Sequence, residues 1–224
     1  MFVHGVLSPR DIATKLLEIH ENEGLLEERV LKNWLTIPVS EIARKPAIAL
    51  TRSVNVVEAA KLMRLNKIGL LPVVDNVGKL VNCYEETLLT IYLVNDTRPA
   101  KEYATANPLT LSTSDKPTLL DALAIMIEEG IRHVLLEKDN SIDIIDINSL
   151  LLAIARRPLE GTLLEKLEKH TRPATILPID TKLGTIAELM TLLPERAVVL
   201  TNQRDHEKMI ITARDLLKAI SERP

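Results

Sequence analysis

Met209-Ile210-Ile211-Thr212-Ala213-Arg214-Asp215-Leu216-Leu217 runs from a short apolar stretch into a hydroxyl, then a carboxylate, then an apolar helix face. Near the other end of the chain, Gly5-Val6-Leu7-Ser8-Pro9-Arg10-Asp11-Ile12 repeats the order. A Ser or Thr at a strand end caps the helix that follows, and an Asp in the first turn lies favourably in the helix dipole. Helix initiation alone therefore accounts for the pattern. An Asp that faces a cleft and holds a ligand accounts for it too, and the rest of the chain bears on the choice.

The pattern belongs to a longer repeat. Three capping-box starts, Asn55-x-x-Glu58, Thr118-x-x-Asp121 and Thr185-x-x-Glu188, lie 63 and 67 residues apart. Each opens a helix with a matching apolar face: Val56, Val57, Ala59, Ala60, Met63; Leu119, Leu120, Ala122, Leu123, Met126; Ile186, Ala187, Leu189, Met190, Leu193. A proline and a short β-like run precede each helix, at Pro46, Pro108 and Pro173. Two strand-like runs follow each: 70–74 with 79–84, 132–137 with 141–145, and 196–200 with 208–211. The turn residues Asp75-Asn76, Asp139-Asn140 and Asn202-Gln203 make each pair a hairpin. The unit is strand, helix, strand, strand, helix, in about 60 residues, which predicts an α+β fold. Residues 1–20 supply only the last strand (Phe2 to Leu7) and helix (Pro9 to His20) of an incomplete copy. The expected boundaries are 1–37 for that part plus a linker helix over Glu21 to Leu35, then 38–96, 97–157 and 158–224. Trp34 reads as a packing residue. One copy is too small to bury its faces, so copies are expected to pair sheet to sheet, helices outside, with clefts between them.

Composition narrows the chemistry. Of 224 residues 46% are apolar but only 2% aromatic, which removes the stacking platform of single-strand nucleic-acid binders, and the net charge of -3 lacks a phosphate-backbone footprint. No run approaches the ~18 apolar residues of a membrane span, and no secretory leader is evident. Cys83 is alone and the five histidines never fall at ligand spacing. The expectation is a cytoplasmic, metal-free protein. Seven glycines, with no glycine-rich phosphate loop and no nucleophile-base set, argue against an enzyme.

Three runs carry a resemblance: Val39-Ser40-Glu41-Ile42 through Pro46-Ala47-Ile48-Ala49-Leu50; Val56-Val57-Glu58-Ala59-Ala60-Lys61-Leu62-Met63; and Ile68-Gly69-Leu70-Leu71-Pro72-Val73-Val74-Asp75. With these the chain resembles stand-alone tandem cystathionine-β-synthase (CBS) domain proteins, whose domains pair into Bateman modules. That family's ribose motif, Gly, two apolar residues, Ser or Thr, two spacers and Asp, is matched at Gly5 to Asp11. It is matched again at Ile210 to Asp215, with Met209 in place of the Gly. The resemblance implies an adenosine ligand (AMP, ADP, ATP or S-adenosylmethionine) in a cleft between paired copies. It assigns the Asp to the ribose hydroxyls, strand backbone to the adenine and basic residues at the start of the second strand to the phosphates.

Carried over copy by copy, the motif reads Glu85 and Leu88 in the first full copy and Asp146 and Ser149 in the second, which leaves Asp11 and Asp215. The resemblance pairs 97–157 with 158–224, so Arg132 and His133 would serve the Asp215 site, whereas the fragment's partner offers only Gly69 and Leu70. The expected ligand-binding residues are Asp215, Thr212, Arg132 and His133, with Ala174, Thr175 and Ile176 lining the adenine and Asp11 with Ser8 as a lesser site. Arg10 and Arg214 read as surface charge. Two functions follow: a nucleotide-sensing module that modulates a partner protein, or a ligand-free interaction or scaffold protein. The apolar faces of the incomplete copy further predict a homodimer.

Overall fold

Local capping sets where most of the helices begin. The computed structural model describes residues 2–23, 34–139, 141–158, 160–202 and 207–223. The incomplete copy gives α1 (Pro9–Glu23), and α2 (Val39–Ile42) precedes the first full copy. That copy runs β1 (Leu50–Thr51), α3 (Val56–Asn66), β2 (Leu70–Val74), β3 (Leu80–Glu85) and α4 (Glu86–Leu89). The next runs β4 (Thr105–Ala106), β5 (Thr110–Ser112), α5 (Leu119–Glu128), β6 (His133–Lys138), β7 (Ser141–Asp146) and α6 (Ile147–Arg156). The last runs α7 (Glu160–Leu163), β8 (Arg172–Pro173), β9 (Ile176–Pro178), α8 (Leu183–Leu192), β10 (Ala197–Asn202), β11 (Glu207–Thr212) and α9 (Ala213–Ser221).

Two of the three expected capping boxes form. Asn55 Oδ1 accepts from Glu58 N at 2.9 Å, and Asp121 Oδ2 accepts from Thr118 N at 2.7 Å. The third does not. Helix α8 begins at Leu183, so Thr185 lies inside it, and backbone carbonyls satisfy its first donors: Leu183 N donates to Arg98 O and Gly184 N to Asp96 O, both at 2.9 Å. A tertiary contact thus replaces the side-chain cap and moves the helix start.

The three expected hairpins are antiparallel pairs, β2 with β3, β6 with β7 and β10 with β11. The leading strands β1, β5 and β9 lie parallel to β2, β6 and β10, as a strand-helix-strand crossover requires. Neighbouring copies exchange an edge strand. β4 pairs antiparallel with β11 (Ile210 opposite Thr105), and β8 pairs antiparallel with β7 (Ile144 opposite Arg172). The sequence boundary at 97 assigned β4 to the second full copy, and that at 158 assigned β8 to the last. The sheet orders are β1-β2-β3, β4-β11-β10-β9 and β5-β6-β7-β8. Over Phe2 to Leu7, where a strand was expected, there are only isolated bridge residues: Phe2 bridges antiparallel to Lys79.

The chain forms two compact units. One comprises Met1–Val6, Lys45–Pro108 and Thr175–Pro224, the other Leu7–Arg44 and Leu109–Ala174. In the first, α9 packs on α3 and α4, joining Met63, Leu71, Leu89 and Leu93 to Ile186, Met190, Leu216 and Leu217. In the second, α1 packs on α5 and α6, with Ala13, Leu16 and the 6% exposed Trp34 against Leu123, Met126, Leu150 and Ile154. Trp34 is thus a core residue. Each fully buried Leu or Met contributes about 1.5–3 kcal/mol. Within each unit the two copies meet through these helices. Residues 24–33 of the expected linker helix, and the turn residues Asn140 and Gln203, lie outside the described residues. Among the described residues no helix is long and apolar enough to cross a membrane.

Candidate ligand-binding site

Strand β11 delivers Thr212 opposite Ala197 and turns directly into α9, where Ala213 N donates to Arg196 O at 3.2 Å. Asp215, three residues on, folds back: its Oδ2 accepts from Thr212 N and from Thr212 Oγ1, both at 2.8 Å. One carboxylate oxygen therefore does serve the helix start. The other, Oδ1, accepts no hydrogen bond from any described residue. Burial pushes the Asp215 carboxyl above the ordinary range. The Thr212 hydrogen bonds and Arg214 pull it back, while Glu86 reinforces the rise.

Ser8 and Asp11 repeat the arrangement in the other unit. Asp11 Oδ2 accepts from Ser8 N at 2.8 Å and from Ser8 Oγ at 2.6 Å. Here the second oxygen is taken: Arg44 Nε donates to Asp11 Oδ1 at 2.6 Å. The Asp11 side chain is 8% exposed and that of Arg44 54%.

The two remaining copies differ from each other. In one, Asp146 and Ser149 have traded positions yet keep the cap. Asp146 Oδ1 accepts from Asn148 N and Ser149 N, Asp146 Oδ2 accepts from Ser149 Oγ at 2.5 Å, and Arg172 donates to Ser149 Oγ at 2.7 Å. In the other, Glu85 makes no cap hydrogen bond and Leu88 is exposed. Glu85 instead pairs with Arg196 at 3.6 Å. Arg196 occupies the repeat position of Arg132, and the internal alignment was the signal that could have singled it out.

The arginines beside the two carboxylates are not merely surface charge. Arg10 Nη2 donates to Met126 O at 3.3 Å and Ile131 O at 3.4 Å at the end of α5; Arg214 Nη2 donates to Lys67 O at 3.2 Å at the end of α3. Each places a cation at a helix C-terminus. Gly130, at φ +68°, holds a left-handed turn beside the Arg10 guanidinium. Burial and then the charges of Arg132 and Arg44 push the Arg10 pKa down, and Asp11 raises it.

The expected site residues do not fall in one unit. Thr212, Asp215, Thr175 and Ile176 belong to the first; Arg132, His133, Ala174, Ser8 and Asp11 belong to the second. Arg132 and His133 lie in the same unit as Ser8 and Asp11, where α1 packs on α5 and α6. His133 opens β6 opposite Asp146. Thr175 O accepts from Val199 N at 2.9 Å, and Ile176 lies opposite Val199, which sets Thr175 toward the sheet end where β11 enters α9. Arg44 was missed because 33 residues separate it from Asp11 and no motif links them. Among the described residues no three His, Cys, Asp or Glu side chains converge as metal donors.

Known proteins resemble parts of the chain and its fold. A model for the CBS domain matches residues 39–82. An L-aspartate semialdehyde sulfurtransferase of Methanocaldococcus jannaschii is 30% identical over 114 residues, 51% of this chain and 22% of that protein. The chain thus spans about a fifth of the length of the curated relative it matches. Protein MJ1225 of the same organism shares the fold with a TM-score of 0.82 at 18% identity, over 97% of this chain and 84% of that one. An uncharacterized conserved protein of Pyrococcus horikoshii follows at 0.65 and 15%, over 82% and 84%.

Proposed function

We propose that the chain, which matches the CBS-domain model over residues 39–82 and shares the fold of MJ1225, is a regulatory module that binds an adenosine ligand through Thr212 and Asp215. The observation that carries this reading is the second oxygen of Asp215, which accepts no hydrogen bond among the described residues, beside a capped helix N-terminus. A carboxylate accepting ribose hydroxyls gains charge-assisted bonds contributing about 1.5–3 kcal/mol each, and the free N–H groups of a helix start favour phosphate. AMP, ADP, ATP and S-adenosylmethionine are the candidate ligands. Binding would act on a partner protein by favouring one conformation of the module over another. Titration calorimetry with each ligand should give heat that Asp215→Ala abolishes; no heat with any of them in the wild-type protein would remove the reading.

A ligand-free scaffold is the second reading, and the loss of the motif at Leu88 and its exchange at Ser149 favour it. It calls for a partner captured equally well with and without adenosine nucleotides. The first reading also includes a homodimer. The sheet β1-β2-β3 has three strands where its two counterparts have four, and Phe2, Val77 and Val81 are exposed near its open edge. Light scattering that gives a monomer at high concentration would remove the dimer without touching the ligand.

A further inference from the structure

Ser8 with Asp11 and Thr212 with Asp215 are the same device with one difference. In each pair one carboxylate oxygen is bound to the cap residue's N–H and hydroxyl at 2.6–2.8 Å. The remaining oxygen of Asp215 accepts no hydrogen bond among the described residues, and that of Asp11 holds Arg44. The strand beside β11 on its outer edge, β4, brings Thr105 and Ala106, so it presents no cation there. A guanidinium offers a carboxylate charge-assisted N–H donors, and a ribose diol offers it O–H donors. Arg44 therefore fills the place that a diol would take.

We propose that Arg44 is an internal occupant that masks the Asp11 half-site and so sets how many adenosine-type ligands the chain takes up. The inference rests on the reading of Asp215 as a ribose carboxylate. The asymmetry of burial gives the mask its character. Arg44 is half exposed and can leave for water, but Asp11 is nearly buried and must not be left without a donor. Neither neighbour can replace Arg44: Ser8 is committed to the other oxygen and Arg10 to the carbonyls of Met126 and Ile131. The mask thus comes off only in exchange for other donors. A phosphorylated ligand also offers the displaced Arg44 a new counter-charge. Phosphorylated adenosine should open this half-site more readily than adenosine itself.

The test counts ligands. Titration calorimetry with AMP and with adenosine is run on the wild-type chain, on Arg44→Met, which keeps an apolar stem, and on Arg44→Met/Asp11→Asn. The expected result is one AMP on the wild type and two on Arg44→Met, with the added one lost in the double variant. The AMP-over-adenosine preference of the added site should fall, and affinity at Asp11 should rise about tenfold or more once Arg44 no longer competes. Melting temperatures with and without AMP check folding. Should Arg44→Met melt far below the wild type, Arg44→Gln, which keeps one donor, replaces it. An unchanged ligand count in a folded Arg44 variant overturns the mask, while binding lost in Asp215→Ala would still uphold the Asp215 reading. A wild type that binds nothing, with an Arg44→Met that binds one AMP through Asp11, overturns the Asp215 reading and upholds the mask. No binding by either overturns both.

Discussion

Gly184 lies against the carbonyl oxygen of Val94 so closely that a β-carbon there would fall well inside van der Waals contact, and within 3.1 Å of Asp96 O. The close approach lets Gly184 N donate to Asp96 O and start helix α8 on the backbone of another copy. Gly184→Ala must push two carbonyls apart and should cost about 1–3 kcal/mol. Urea denaturation with an unchanged midpoint would contradict this.

Asp215 should be a stability liability in the unliganded chain. Its carboxyl is held above the ordinary range by burial, so its contribution is fully present below the unfolded value of about 3.9 and is lost as pH rises through the folded value. At pH 7 the ionised group therefore opposes folding. Asp215→Asn keeps an acceptor for Thr212 and should raise the denaturation midpoint at pH 7, with the gain shrinking toward pH 3. A lowered midpoint at pH 7 would show that the cap outweighs the burial of charge.

Asp96 should behave in the opposite sense. Arg98 donates to both of its oxygens at 2.8–3.2 Å, Arg223 adds a bond at 3.1 Å, and the Arg98 hydrogen bonds above all hold the carboxyl well below the usual carboxylate range. Stability from such a group is present above the unfolded value of about 3.9 and is lost as pH falls through the folded value. Arg98 also donates to Tyr103 Oη at 2.6 Å and Ala219 O at 3.0 Å, which fastens α9. Asp96→Asn should cost about 1–3 kcal/mol at pH 7, and the gap to the wild type should narrow in acid. A gap independent of pH would rule out the ion pair as its source.

Arg10→Ala should lower thermal stability more than Arg214→Ala. Arg10 makes two partly buried bonds at the end of α5, whereas Arg214 makes one exposed bond at the end of α3. A cation at a helix end contributes about 0.3–1 kcal/mol at the surface and up to about 2 when partly buried. Equal losses in the two variants, measured by melting, would remove burial as the deciding factor.

Short-range signals carried most of the fold. Asn55 with Glu58 and Thr118 with Asp121 cap their helices because the partners lie three residues apart and need nothing else. The hairpins were readable for the same reason. Thr185 failed because carbonyls from Asp96 and Arg98, more than eighty residues away, decide where α8 begins. The exchanged strands β4 and β8 are two residues long and carry no periodicity. At the candidate site the cap of Thr212 and Asp215 was legible. The ion pair of Arg44 with Asp11 was not, since nothing local distinguishes Arg44 from any exposed arginine.

The exchange of β4 and β8 bears on how such a chain can be altered. Thr105–Ala106 completes the sheet of the last copy, and Arg172–Pro173 completes that of the copy before it. A graft or deletion cut at the repeat boundary would carry away a strand that belongs to the neighbour and leave behind one that does not. The smallest transplantable piece is therefore the interlocked pair, and the two copies are expected to be gained, lost and redesigned together.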